Sequence, residues 1–226
     1  MDIKHKLEKN YAASVLRGAR IGLAALFIAT PSIAAQISVQ VTEPGGVAVA
    51  EAVVYANVIS GTAQAKPKRE ISVEQVNKEF VPVISVIQSG TMVNFPNRDK
   101  VRHHVYSFSP AKTFEIKLYS GIPGKPILFD KPGEVVLGCN IHDSMIAYVL
   151  VVDTPIFGKT DKRGSVVLDG LSAGDYEVHA WYPGTAPSAV PAPQKLKLAA
   201  TDAPTITFAF SAKPQNPASP KPSQGK

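Results

Sequence analysis

Cysteine occurs once in the 226 residues, as Cys139. A single thiol closes no internal disulfide, so any folded state rests on its own buried core. Methionine occurs three times, Met1 included, and no histidine-rich tract is present, which leaves out the repeated soft-ligand tracts of a dedicated metal store. No basic run is interleaved with aromatics, so the electrostatic footprint of a nucleic-acid binder is missing. The apolar run "IGLAALFIA" near the amino terminus is shorter than the about 20 residues that span a bilayer. Beyond residue 35 no stretch shows helical periodicity.

What is abundant points the other way. Nineteen prolines and sixteen glycines suit short strands joined by turns. Segments such as "ISVQVT", "EAVVYANV", "EISVEQV", "VPVISVI", "TMVNF", "HHVYSFS", "FEIKLY", "MIAYVLVV", "DYEVHAWY" and "PTITFAF" are rich in Val, Ile, Phe and Tyr. Turn signals such as "EPGG", "QSG", "GIPGKP", "DKRG" and "SAGD" separate them. The pattern predicts an all-β chain of sandwich type with about fourteen strands, more than one seven- to nine-stranded sandwich needs.

The first 35 residues follow a different plan. Lys4, Lys6, Lys9, Arg17 and Arg20 precede the apolar run, and "TPSIAAQ" follows it. This is the charged, apolar and small-residue order of a secretory signal, cut near Ala34–Gln36. Its removal leaves 19 basic and 16 acidic residues, a net charge of only +3. The expected location is an exported compartment, the periplasm. Residues 212–226, proline-, serine- and lysine-rich, lack the apolar content to order themselves. The stretch "SGTAQAKPKR" has the composition of a linker.

The lone cysteine belongs to "GCNIHDSM", with His142 three positions on and Met145 three beyond that. Thiolate, imidazole and thioether are soft or borderline donors. Two histidines, one cysteine and a weak axial methionine define a type 1 copper site. The second imidazole must come from elsewhere. His5 leaves with the signal, and His179 lies on an alternating strand with no partner signal, which leaves the adjacent pair His103 and His104. Neighbouring strand residues face opposite ways, so both cannot ligate from a regular strand.

The segment "MVNFPNRDKVRHHVYSF" resembles cupredoxins such as plastocyanin, pseudoazurin and amicyanin. Val93, Phe95, Asn97 and Asp99 match their V-x-F-x-N-x-D strand, and His103 and Val105 match the His-Asn-Val that follows. His104 stands where asparagine is usual, and Ile141 where many relatives carry proline. The resemblance implies a Greek-key cupredoxin β-sandwich over 67–153. It implies one type 1 copper per chain, held by His103, Cys139, His142 and Met145, with His104 as the alternative to His103. It further implies single-electron transfer rather than enzymatic turnover, with a redox partner docking near His142. The pairing with "TDKRGSVVLDGLSAGDYEVHAWYPG" is similar to proteins labelled for methylamine utilisation. "ISVQVTEPGGVAVAEAVVYA" and that later segment resemble the two halves of a carboxypeptidase-regulatory-like (transthyretin-like) β domain, 36–60 plus 155–211, with the copper domain nested between them. Two other classes stay open: a copper carrier or store without redox turnover, and a metal-free adhesion or scaffold module. Oligomeric state is left open.

Overall fold

A computed structural model describes residues 34–61 and 70–213. The expected signal, most of the linker and most of the tail lie outside these residues. The described chain is all-β, with one 3₁₀ turn at Pro187–Ala189.

The strands in order are β1 (Ala35–Thr42), β2 (Val53–Ser60), β3 (Glu70–Ser72), β4 (Glu74–Val76), β5 (Glu79–Val81), β6 (Ile84–Gln88), β7 (Thr91–Asn94), β8 (His103–Ser109), β9 (Lys112–Tyr119), β10 (Ile127–Phe129), β11 (Gly133–Gly138), β12 (Ile146–Val152), β13 (Phe157–Lys159), β14 (Ser165–Leu171), β15 (Gly174–Trp181), β16 (Gln194–Leu198) and β17 (Thr205–Ala209). Hydrogen bonding sorts them into two sets. Strands β3 to β12 pair only among themselves, as β10-β7-β3, β6-β12-β11-β8-β9 and the β4-β5 hairpin. The flanking strands pair with each other across that stretch, as β14-β1-β17 and β13-β2-β15-β16. Thus β2 runs antiparallel to β15, with His179 opposite Tyr55.

Each set closes over its own core because its strands alternate apolar and polar residues with period two. β1 buries Ala35, Ile37, Val39 and Val41 on one face. These meet Val54, Ala56, Tyr176, Val178 and Phe208 in a flanking core. The inner core joins Val93 and Phe129 to Val105, Val135, Leu137, Val149 and Val151, so two sheets share one apolar filling. A third, smaller cluster brings Val53, Tyr55, Phe157, Trp181 and Tyr182 of the flanking set against Ile84, Leu150 and Val152 of the inner set.

Two local details depart from the sequence expectation. "EISVEQV" is not one strand, because Val73 is wholly buried where the chain leaves the β7 edge to form the β4-β5 hairpin. The short β13, carrying little apolar patterning, pairs with β2. Trp181, on an alternating strand of the flanking set, belongs to the smaller cluster and donates its indole N–H to Glu134 Oε2 at 3.2 Å. The site sits at one end of the inner set, where β8 begins and β11 ends.

Candidate metal centre

Two loops build the site. One runs from Phe95 to His103 at the head of β8; the other, Cys139–Met145, connects β11 to β12. Asn97 folds the first loop: its amide donates to Val101 O at 2.9 Å and to Tyr119 O at 3.0 Å, while its oxygen accepts Asp99 N–H at 2.9 Å. A side chain substituting for three backbone contacts is the means by which Asn shapes such turns. The second loop is tightened where Met145 N–H donates to His142 O at 2.9 Å.

Donor atoms of His103, Cys139 and His142 lie within 4.8 Å of one another. That span is on the order of two metal–donor bonds of about 2.0–2.3 Å each. His103 is fully buried, Cys139 buried and His142 half-buried. His103 Nδ1 stands 4.0 Å from Cys139 Sγ, and the two imidazoles meet edge to face with centroids 5.0 Å apart. Met145 is buried in the same core cluster as Cys139. His104 faces away from this group: its Nε2 meets Glu115 Oε1 at 2.8 Å. Of the sequence-predicted residues, the structure therefore gathers His103, Cys139 and His142, keeps Met145 beside them, and turns His104 to the other face of β8.

Whether this group fits a metal can be asked of its polar atoms. His142 Nδ1 is buried without a hydrogen-bond partner, an arrangement that costs free energy unless something else accepts it. His103 Nε2 lies 2.7 Å from Asp99 Oδ2. An ionised carboxylate only accepts, so the proton belongs on Nε2 and the Nδ1 lone pair is left facing the thiol. Burial works to raise the Asp99 pKa, but the N–H groups of Lys78 and Asn77 and the His103 ring outweigh it, and the carboxyl lies below its ordinary range. Two open imidazole nitrogens and a thiol form a soft-to-borderline donor set that suits copper or zinc. The residues fit a bound metal.

Behind the site, Tyr119 donates to Phe95 O at 2.6 Å and accepts from Gln75, whose amide is buried. Burial first, and the nearby Cys139 second, push the Tyr119 phenol up to about 12 against the opposing Gln75 contact. Beside Cys139, Gly138 is required by close approach. A Cβ there would fall 2.7 Å from Tyr106 Cζ, because the Tyr106 ring lies over the β11 backbone. Tyr106, Val136, Leu137, Cys139 and Met145 line a concavity of about 510 Å³, with Phe108 at its edge, 80% exposed. Of the basic residues before His103, Arg98 is paired with Glu74 at 2.8 Å. Sequence reasoning passed over Gln75 and the contact from Asp99 to His103. The latter had a signal, an acidic residue four positions before the candidate ligand; Gln75 had none.

No family model matches the chain, and no curated protein matches it. Among solved structures, part of the chain is similar to a copper-containing nitrite reductase from Thermus scotoductus SA-01, at 26% identity over 42% of this chain and TM-score 0.35. The aligned part spans about a quarter of that reductase, 25% of its length. A purple cupredoxin from Nitrosopumilus maritimus is 22% identical over 34% of this chain and 84% of its own, with TM-score 0.30. A pseudoazurin from Sinorhizobium is 24% identical over 38% of this chain and 76% of its own, with TM-score 0.30. These likenesses cover less than half of the chain, and the functional reading below rests on its own side chains.

Proposed function

We propose that this chain is an exported type 1 copper protein of cupredoxin kind that carries single electrons between redox partners. The observation that carries this reading is the convergence of a ring nitrogen each from His103 and His142 with Cys139 Sγ within 4.8 Å, in a site where His142 Nδ1 is buried without a partner and Met145 shares the core cluster of Cys139. Copper bound there would supply the Cu(I)/Cu(II) couple, with the cysteine held as thiolate. His103 and Cys139, both shut away from solvent, would hold the ion and exclude water. Met145 is the proposed weak fourth ligand. His142 is the half-buried member, and Ile141 beside it is 50% exposed, which supports docking of a redox protein at this loop. The periplasm is the proposed location, and methylamine utilisation the proposed setting, on the resemblance of the two motif segments. A non-enzymatic carrier is favoured because the donor set leaves substrate no evident place. Residues 67–153 are proposed as a copper domain nested in a second β domain.

The test is an optical spectrum of the copper-loaded mature protein. An intense thiolate-to-copper band is expected, lost in His103→Ala and only shifted in His104→Ala. A colourless copper-loaded protein would sink the electron-carrier reading in favour of a scaffold. Tight Cu(I) binding without a coloured Cu(II) form would favour a carrier or store. Loss of the band in His104→Ala alone would move the ligand to His104.

A further inference from the structure

The hairpin β4-β5 lies outside both ligand loops, yet its first strand and its turn both hydrogen-bond to one of them. Gln75 N–H donates to Pro96 O at 2.9 Å, and Arg98 N–H returns the bond to Gln75 O at 2.9 Å. Arg98 also pairs with Glu74 at the base of the hairpin. The two-residue turn is Asn77–Lys78, with φ of 54° and 61°. Both residues occupy the left-handed region that a tight type I′ turn demands, where asparagine is tolerated and a lysine is strained relative to glycine. The strain aims two backbone N–H groups at one carboxylate. Asn77 N–H donates to Asp99 Oδ1 at 2.7 Å and Lys78 N–H to Asp99 Oδ2 at 2.9 Å. The same Oδ2 faces His103 Nε2 at 2.7 Å.

We infer that Asp99, clamped by the Asn77–Lys78 turn, is a positioning residue that fixes His103 in the tautomer whose Nδ1 is free toward Cys139. Two carboxylate oxygens receive three N–H donors, and only a carboxylate satisfies all three. An amide at this position has one oxygen. Turned with that oxygen toward Asn77, it sets its NH₂ against Lys78 N–H and His103 Nε2, which favours an unprotonated Nε2 and a protonated Nδ1. Turned the other way, its NH₂ confronts Asn77 N–H. The clamp thus selects aspartate at position 99, and the hairpin, more than twenty residues before His103, becomes part of the metal centre's support.

The tautomer half of this proposal concerns the apo-protein; the metal half rests on the copper reading, and the experiment separates them. Nitrogen-15 NMR of the metal-free protein reads the His103 tautomer directly, and Zn(II) competition against a chelator reads the site's affinity. The unsubstituted apo-protein should show His103 protonated at Nε2 and bare at Nδ1; the opposite tautomer overturns the proposal without any variant. Asp99→Asn should move His103 toward the Nδ1-protonated form and weaken Zn(II) binding by about 10–100-fold, the range for loss of a carboxylate behind a metal-ligating histidine. An unchanged tautomer with affinity within about twofold would make Asp99 a loop brace only. A shifted tautomer in a protein that binds neither zinc nor copper would keep the Asp99 assignment and sink the metal reading.

Discussion

The inner and flanking strand sets share one sequence pattern, yet they bury different things. Of the buried polar residues among those described, Gln75, Ser85, Thr91, Asn97, His103, His104 and Ser107 belong to the inner set, while Thr154 and Thr160 lie outside it. The two threonines are structural ties. Thr160 Oγ1 donates to Val49 O at 2.6 Å and accepts from Ala52 N–H at 2.9 Å; Thr154 Oγ1 donates to Ala56 O at 2.6 Å. In the inner set His142 Nδ1, His104 Nδ1, Gln75 Oε1 and Ser85 Oγ are buried without partners. Buried polar groups left open cost stability. A set that concentrates them gives up stability for something other than the fold. The flanking set, built on Tyr176, Phe208 and Phe210, carries only Thr185 Oγ1 in that state among the described residues.

The most drastic way to break this comparison is to separate the sets. If the nesting proposal is right, joining residue 60 to residue 155 through a short Gly/Ser linker should leave a soluble, copper-free β protein with a cooperative melt. The segment 67–153 alone should then bind copper. An unfolded joined chain, together with a 36–153 fragment that folds and turns blue, would make the two units sequential instead.

A smaller perturbation acts on one core. Phe208 is wholly buried among Ile37, Val39 and Tyr176 in the flanking cluster. Phe208→Ala should cost about 3–5 kcal/mol in denaturant unfolding while leaving the metal spectrum and affinity of the folded protein unchanged. A changed spectrum would show that the flanking core holds the metal loops in place, and the contrast between the sets would dissolve.

Much of this division was legible from residue order. Alternation in "ISVQVT" fixes which face of β1 is buried, because strand side chains alternate strictly. The spacing of Cys139, His142 and Met145 marks a loop able to offer soft donors to one point. The same alternation requires His103 and His104 to diverge, and β8 does send one inward and the other to Glu115. What was not legible depends on contacts distant in sequence. Gln75 finds Tyr119 forty-four positions away, and Trp181 finds Glu134 forty-seven away. Periodicity reports which face is covered, never by what. For the same reason the alternation in "DYEVHAWY" does not tell that Trp181 packs in the smaller cluster.

The smallest expected effect lies on the seam between the sets, at that last contact. Glu134 projects from β11 and accepts the Trp181 indole N–H at 3.2 Å. Burial raises the Glu134 pKa above the ordinary glutamate range, and the Trp181 hydrogen bond only partly offsets it. The folded state therefore holds this proton more tightly than the unfolded chain does. By linkage, the contribution is fully present below the unfolded pKa and is lost as pH rises through the folded one. Glu134→Gln keeps an oxygen for Trp181 and removes the titration. Urea midpoints between about pH 4 and pH 7 should fall less steeply with rising pH in Glu134→Gln than in the unsubstituted protein. The Trp181→Phe variant should keep a titrating Glu134 and, freed of the bond that favours its charged form, show the steeper fall. Identical slopes in all three proteins would assign the acid-side pH dependence to other carboxyls and leave the seam apolar in its energetics, with the Trp181–Glu134 contact a surface decoration of the smaller cluster.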